Sequence, residues 1–157
     1  MPNEKAKIKM LTPEEANALL PRVRLTLKSL REQRSVVLRT QAQIEIEEMT
    51  GTDPNQQLSP AAQAAITKLM EAFHYQTRQF EDKLEDLFQL GAHLKDLDTG
   101  LVDFRGQIDG RDVFYCWKLG EPSVLYWHEI DAGFVGRQRL HAAAGADISL
   151  EKSWQDR

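Results

Sequence analysis

The chain has 157 residues, which suits one domain and is short for two. Hydrophobic residues make up 41% and charged residues 28%, and this balance excludes an intrinsically disordered chain. The net charge of −4 argues against broad binding to nucleic acid or to anionic membranes, because both need a basic surface. A single cysteine excludes an intrachain disulfide and any cysteine-based structural zinc site.

The chain also lacks the apolar segments that direct a protein to a membrane. No apolar run approaches the roughly 18 residues that a membrane span needs. The polar residues at the start of the chain lack the apolar core of a signal peptide. We therefore expect a cytoplasmic protein with a flexible N-terminus over residues 1–10.

A first long helix is predicted to begin at Thr12 and to run to about Met49. Thr12 is a good N-cap, Pro13 suits the first helical position, and Glu15 can complete a capping box. Apolar residues then recur at three- and four-residue spacing, the pattern of a helix buried on one side. The stripe consists of Ala16, Leu20, Val23, Leu27, Leu30, Val37 and Ile44.

A second helix opens at Ser59-Pro60 and is expected to stop at Gly91. The short connection predicts that the two helices form an antiparallel hairpin over residues 11–91. A two-helix hairpin leaves apolar flanks uncovered, which favours a homodimer with coiled-coil-like packing between the helices. The alternative is that the C-terminal strands cover these flanks, which consist of Leu19, Val36, Leu38, Met70 and Phe88.

From residue 92 onward the pattern changes to that of a small β unit over residues 92–140. Residues 101–108 and 111–118 flank Asp109-Gly110, the preferred pair for a type I′ turn, and predict a β-hairpin. A third strand is expected over residues 124–130, so the fold class is α+β with a three-stranded antiparallel sheet. The tail over residues 141–157 has no clear period and is expected to be loosely held.

A two-residue turn fixes the register of the hairpin, so its two faces can be assigned. An apolar face is expected to pack on the helices, and it holds Val102, Phe104, Val113, Tyr115 and Trp117. If Lys118 opposes Val124, Trp127 joins this face. Alanine substitutions of Trp117 and Trp127 are then expected to lower the melting temperature strongly, whereas His128→Ala is expected to lower it very little. The opposite, polar face then collects Asp103, Arg105, Phe114, Cys116, Lys118, Tyr126 and His128.

Several sequence motifs resemble those of one family. They are LTPEEAN at residues 11–17, KDL at 95–97, GLVDF at 100–104, WKLGEP at 117–122, WHEIDAGF at 127–134 and GRQ at 136–138. The chain thereby resembles the uncharacterised prokaryotic proteins grouped as domain of unknown function 2203, over roughly residues 10–140. The resemblance implies a small bacterial cytoplasmic protein and supplies no activity.

The best polar cluster for a site is His128 with Glu129 and Asp131. Histidine and carboxylates at a strand end can hold a divalent metal or transfer protons, with His128 and Asp131 as the metal candidates. His93, Asp96, Asp98 or Asp103 would have to complete a metal site. The alternative is a structural role, with His128 as a cross-strand partner of Phe114 and Asp131 as a turn cap. In a regular strand His128 and Glu129 point to opposite faces, which weakens a joint role in metal binding.

Four further features have a functional and a structural interpretation. The segment at residues 133–137 can present backbone N–H groups and Arg137 to an anion, or Arg137 can pair with Glu129 or Asp131. Cys116 is a nucleophile candidate but more often such a residue is a small core filler. Glu71 and His74, with Glu45 and Glu48, match part of a di-iron site but fit a solvated surface better. A basic run could bind nucleic acid but also fits a solvated surface better, and it consists of Arg22, Arg24, Lys28 and Arg31.

Two functions remain open on the sequence alone. The leading hypothesis is a non-enzymatic dimeric module that binds a ligand or a protein partner through the region from Trp127 to Arg137. The ligand-binding candidates are His128, Glu129, Asp131, Arg137, Asp103 and Arg105. The alternative is a metal-dependent enzyme of hydrolytic type centred on His128 and nearby carboxylates, so a divalent metal is possible but no cofactor is specified.

Overall fold

The structure is a computed structural model, and it describes residues 8–140 of the chain. Two long helices are followed by five short strands. In chain order the elements are α1 (Pro13–Thr50), α2 (Pro60–Gln89), β1 (Ala92–Asp96), β2 (Leu101–Ile108), β3 (Arg111–Lys118), β4 (Tyr126–Glu129), a 3-10 turn (Phe134–Gly136) and β5 (Gln138–Arg139).

The predicted α+β class is confirmed, with five strands in the sheet where three were expected. The strands follow one another in the order β1-β2-β3-β4-β5, and all neighbours are antiparallel. The first added strand, β1, has only five residues of mixed character, which is too short to give an alternation signal. The other, β5, has two residues and pairs with the first two residues of β4.

Both helices begin where their caps predict. The Thr12 side chain accepts a hydrogen bond from the Glu15 backbone N–H at 3.1 Å, and the Glu15 carboxylate accepts one from the Thr12 N–H at 3.1 Å. The Ser59 hydroxyl accepts a bond from the Ala62 N–H at 3.1 Å. These contacts satisfy backbone donors that the first helical turn leaves free.

The core lies between the first half of α1 and one face of the sheet. Five stripe residues of α1 are buried here, from Ala16 to Leu30, together with Leu87 of α2. The sheet contributes the five residues predicted for its apolar face, each at most 1% exposed: Val102, Phe104, Val113, Tyr115 and Trp117. The wide apolar face of the sheet is therefore what holds the helices in place.

The predicted strand register is confirmed throughout. Val102 lies opposite Trp117, and Ile108 lies opposite Arg111. Asp109 and Gly110 have φ values of 51° and 78°, the left-handed conformation that a type I′ turn requires at both positions. In β4 Trp127 pairs with Tyr115, the register that the sequence favours for the third strand.

Beyond Leu30 the helical hairpin extends away from the sheet, and its two helices contact mainly each other. The buried residues of this part of α1 are Thr40 and Ile44. Thr40 donates to the side-chain oxygen of Gln76 at 2.7 Å, so part of the contact between the helices is polar.

The apolar flanks of the hairpin divide into two groups. Leu38 and Met70 are exposed to 55% and 41%. Leu19 packs against the core, while Val36 and Phe88 are half-buried. The exposed flank residues Leu38 and Met70 lie in the extended part of the hairpin, where Val36 is half-buried.

Two expectations concern the ends of the chain. The flexible N-terminus predicted over residues 1–10 falls mostly on residues 1–7, and the loose tail on residues 141–157, and both segments lie outside the described residues. Within residues 8–140 neither helix combines the length and apolar character of a membrane span.

Candidate functional site

The centre of the predicted polar face is buried. Asp103 on β2, Cys116 on β3 and His128 on β4 are 3%, 0% and 2% exposed. The register places Asp103 opposite Cys116, and Phe114 opposite His128. Three neighbouring strands thus bring a carboxylate, a thiol and an imidazole together inside the protein.

Both ring nitrogens of His128 have partners. The Nδ1 atom lies 2.7 Å from the backbone carbonyl of Glu129, and the Nε2 atom lies 3.0 Å from Oδ2 of Asp103. A carbonyl can only accept, so Nδ1 carries a proton and donates it. The ring also lies 5.5 Å from that of Phe114, the cross-strand neighbour that the sequence predicts.

Cys116 is not poised to act as a nucleophile. Burial, followed by the charge of Asp103, raises the pKa of the Cys116 thiol to about 12. A nucleophilic cysteine needs the opposite shift, because the thiolate is the reactive species. The neutral thiol in the folded chain fits the expectation of a small core filler.

Among the described residues, two buried polar atoms beside this cluster have no hydrogen-bond partner. They are Oδ1 of Asp103 and Nε2 of His93. His93 on β1 is the register neighbour of Asp103, so both side chains lie on one face of the sheet. Burial, with a smaller effect of Lys95, lowers the pKa of His93 and favours its neutral form. The ring of His93 is packed between Phe88 and Phe114.

Arg137 forms a two-pronged ion pair with Glu121, at 3.1 and 2.8 Å. The two side chains are only 15% and 20% exposed. The guanidinium also lies 3.8 Å from the ring centre of Tyr126 and 4.6 Å from that of Phe134. The structural alternative for Arg137 therefore applies, with a carboxylate partner that sequence reasoning missed.

Glu121 connects several parts of the fold. Its carboxylate accepts from the Lys118 backbone N–H at 2.7 Å, and its backbone carbonyl accepts from the indole N–H of Trp117 at 3.0 Å. Glu121 thus contacts Trp117 within its own WKLGEP motif and Arg137 of the GRQ motif. The second contact joins the two motifs. Occurrence in a motif was the only signal that could have pointed to Glu121.

The remaining predicted site residues lie apart from His128. Glu129 pairs with Arg111 at 3.1 Å on the opposite face, and Arg105 pairs with Asp112 at 3.0 Å. Asp131 is exposed and does not join His128. Within residues 8–140 the histidine, cysteine and acidic side chains close enough to share an ion are those of Asp103, Cys116 and His128.

The candidate site residues on the two helices are either exposed or hydrogen-bonded to neighbouring loops. Glu71 and His74 are exposed, as are Glu45 and Glu48. In the basic run, Arg31 donates to the carbonyls of Leu97 and Asp98 at 3.0 and 2.8 Å. Arg24 donates to the carbonyl of Pro122 at 3.3 Å. These arginines attach α1 to the loops around the sheet.

Sequence reasoning also missed Asn17. Its side-chain oxygen accepts a hydrogen bond from the Val124 N–H at 2.7 Å, and this holds the loop before β4 against α1. The LTPEEAN motif was the available signal, since Asn17 is its last residue.

A family model described as an uncharacterized conserved protein, DUF2203, matches residues 9–140. The chain belongs to this family, as its motifs indicate. Neither the curated proteins nor the solved structures contain a match to the chain.

Proposed function

We propose that the protein is a non-enzymatic module that forms a homodimer through its helices and binds a protein partner through the region from Trp127 to Arg137. One observation carries the proposal. Arg137 and His128 of this region are engaged in internal contacts. The apolar side chains of Ile130, Phe134 and Val135 face solvent.

The internal contacts fix the shape of the region. Arg137 is held by Glu121, and His128 by Asp103. Arg137 also lies against the ring of Phe134, which anchors the 3-10 turn. A loop that is fixed before binding loses less conformational entropy when it meets a partner.

The apolar surface of the region surrounds this turn. Val135 is 98% exposed, and Phe134 and Ile130 are 44% and 41% exposed. The buried cores of protein interfaces are apolar and rich in aromatic side chains, so exposed residues of this kind fit such a core. The arrangement supports a protein partner over a small charged ligand.

A second surface on α1 supports the homodimer. Leu38, Ile46 and Met49 are 55%, 57% and 80% exposed. With the exposed Ala42 they follow one another at spacings of four, four and three residues, so they form a stripe along one side of the helix. We call these four exposed residues the outer stripe of α1, to distinguish them from the buried stripe that begins at Ala16. The buried Thr40 and Ile44, which mark the contact with α2, lie on the other side of the helix.

Dimer formation is tested by light scattering at micromolar concentration. We expect a mass of twice the 18.0 kDa of one chain. Ile46→Glu should give the single-chain mass because it places a charge in the outer stripe. Leu25→Glu is the matched control, since Leu25 is 70% exposed on the same helix but outside the outer stripe. A wild-type mass of one chain contradicts the dimer.

Partner binding is tested by a photo-reactive amino acid at position 135, introduced in the producing cells. We expect one discrete cross-linked adduct there and none with the same amino acid at Asp109, in the exposed turn between β2 and β3. Adducts at both positions, or at neither, contradict a specific partner for this loop.

The hydrolytic alternative has less support in the geometry. A catalytic histidine has to reach a substrate, but His128 is 2% exposed and both its ring nitrogens are engaged. Asp131 does not join it. The buried cluster is better suited to a structural task than to turnover.

A further inference from the structure

We propose that Asp103, Cys116 and His128 bind a zinc ion inside the protein, as a structural ion that joins strands β2, β3 and β4. The inference is independent of the proposed dimer and partner. One oxygen, one sulfur and one nitrogen atom from these residues all lie within 4.8 Å of one another.

The distances suit a tetrahedral ion after small side-chain movements. Zinc binds histidine nitrogen, carboxylate oxygen and cysteine sulfur at about 2.0–2.3 Å, so its ligand atoms lie about 3.4–3.6 Å apart. The Nε2 atom of His128 and Oδ2 of Asp103 are now 3.0 Å apart. Zinc would take the place of the proton between them, and the sulfur of Cys116 would approach by about 1 Å.

The orientation of His128 is that of a metal ligand. Its Nδ1–H donates to the backbone carbonyl of Glu129 at 2.7 Å, which directs Nε2 toward Asp103. Histidines that bind metals through one nitrogen usually donate the other N–H to a carbonyl or a carboxylate. The hydrogen bond that fixes this ring is therefore present without the ion.

Asp103 provides the second, independent observation. Its side chain is 4% exposed, and beside its contacts with His128 and the Cys116 thiol its Oδ1 atom has no hydrogen-bond partner within residues 8–140. A buried carboxylate oxygen without a partner is costly, and an ion is one of the few ways to satisfy it. With a thiolate and a carboxylate as ligands, the zinc site has no net charge, which is the balance that a buried site requires.

The number of cysteines is compatible with this site. The expectation that one cysteine excludes any cysteine-based structural zinc site is too broad, because one cysteine excludes only the sites that are built on two or more cysteines. A single cysteine leaves room for a mixed set of one cysteine, one histidine and one carboxylate. His93 neighbours Asp103 on β1 but lies outside the group of side chains close enough to share an ion, so its ring would have to move to supply a fourth ligand.

The experiment is a titration of the metal-depleted full chain with zinc and with cobalt. We expect about one equivalent of zinc per chain, a rise in melting temperature, and the absorption of a tetrahedral cobalt ion with a thiolate ligand. The thiolate band identifies Cys116 directly, since the chain has one cysteine. This readout needs no variant and does not depend on whether a variant folds.

Variants then assign the other ligands. Cys116→Ala should abolish the thiolate band, and His128→Gln should weaken zinc binding by at least about tenfold. His93→Gln should weaken it by less, because three ligands remain. His74→Gln is the matched control, since His74 is exposed on α2, and it should bind zinc as the wild type does.

Three results would overturn the inference: no uptake by the metal-depleted wild type, uptake without a thiolate band, or loss of binding with His74→Gln, which indicates an adventitious ion only. The dimer is judged separately. Ile46→Glu should bind zinc normally even where it is monomeric, so failure of either proposal leaves the other standing.

Discussion

Replacing Arg137 with lysine tests whether the ion pair with Glu121 holds the Trp127–Arg137 region in shape. Lysine keeps the positive charge but loses the planar fork that makes two bonds to one carboxylate. The wild-type bonds measure 3.1 and 2.8 Å, and the side chains are 15% and 20% exposed. A hydrogen bond to a charged group contributes about 1.5–3 kcal/mol, and the stacking on Tyr126 about 0.5–2 kcal/mol more.

Lysine can restore one of the two bonds, so we expect Arg137→Lys to lower the free energy of unfolding by about 2 kcal/mol. For a chain of this size that corresponds to a fall in melting temperature of roughly 4–8 °C. Urea unfolding followed by tryptophan fluorescence measures the free energy, and thermal unfolding followed by circular dichroism measures the melting temperature.

The double-mutant cycle with Glu121→Gln isolates the pair. We expect a coupling free energy between the two sites of about 0.5–3 kcal/mol. Arg111→Lys is the matched control, because Arg111 is 61% exposed and its partner Glu129 is 40% exposed. The free energy of unfolding should change by no more than about 0.5 kcal/mol. The reasoning fails if Arg137→Lys resembles Arg111→Lys, or if the effects at Arg137 and Glu121 simply add.

Four further outcomes follow from buried or hydrogen-bonded groups. Trp117→Ala should cost about 3–5 kcal/mol of stability and Trp127→Ala less, because Trp117 is fully buried and Trp127 is half-buried; equal melting temperatures would contradict this. Gly106→Ala should lower the free energy of unfolding by about 1–3 kcal/mol, because the added Cβ would clash with the Tyr115 ring. Gln107→Ala, at the exposed neighbouring position, is the control and should not produce a loss of this size. The sequence alone predicts little effect of His128→Ala, but the buried pair with Asp103 changes that expectation. In the presence of a chelator this substitution should cost about 3–5 kcal/mol, because it breaks the pair, and a melting temperature like that of the wild type would refute the pair. The hydroxyl of Thr99, which donates to Asp96 at 2.6 Å, is the main reason that the pKa of Asp96 lies below its ordinary value of 3.8. Thr99→Val should raise that pKa toward 3.8, as measured by NMR titration, while Thr67→Val in α2 should leave it unchanged, and the contribution of this turn to stability should disappear as the pH falls below 3.8.

The parts of the fold that could be predicted are those encoded by neighbouring residues. The capping box of Thr12 and Glu15 sets the start of α1, and the Asp109-Gly110 turn sets the register of two strands. Both signals act within a few residues, so they do not depend on the rest of the chain. Once the turn was fixed, the alternation of side chains assigned Trp117 and Tyr115 to the buried face.

The parts that could not be predicted depend on contacts between distant segments. The partner of Arg137 is Glu121, sixteen residues earlier on another loop, and only the folded path of the chain brings them together. Alternation placed Asp103 and His128 on one face but gave no information on what covers that face. A polar residue on a strand is usually solvated, so the burial of both was unexpected.

In the structure, most of the motif residues make contacts that stabilise the fold. Glu121 and Arg137 hold two loops together, and Asn17 attaches the loop before β4 to α1. A residue engaged in this way is not available for chemistry, so a motif alone gives no warrant for a catalytic site. Asp103 differs from these residues, because its buried Oδ1 atom has no hydrogen-bond partner within residues 8–140. Such an atom lowers the stability of the fold. A cost of that kind, placed beside a thiol and an oriented imidazole, points to an ion more directly than any sequence pattern in the chain.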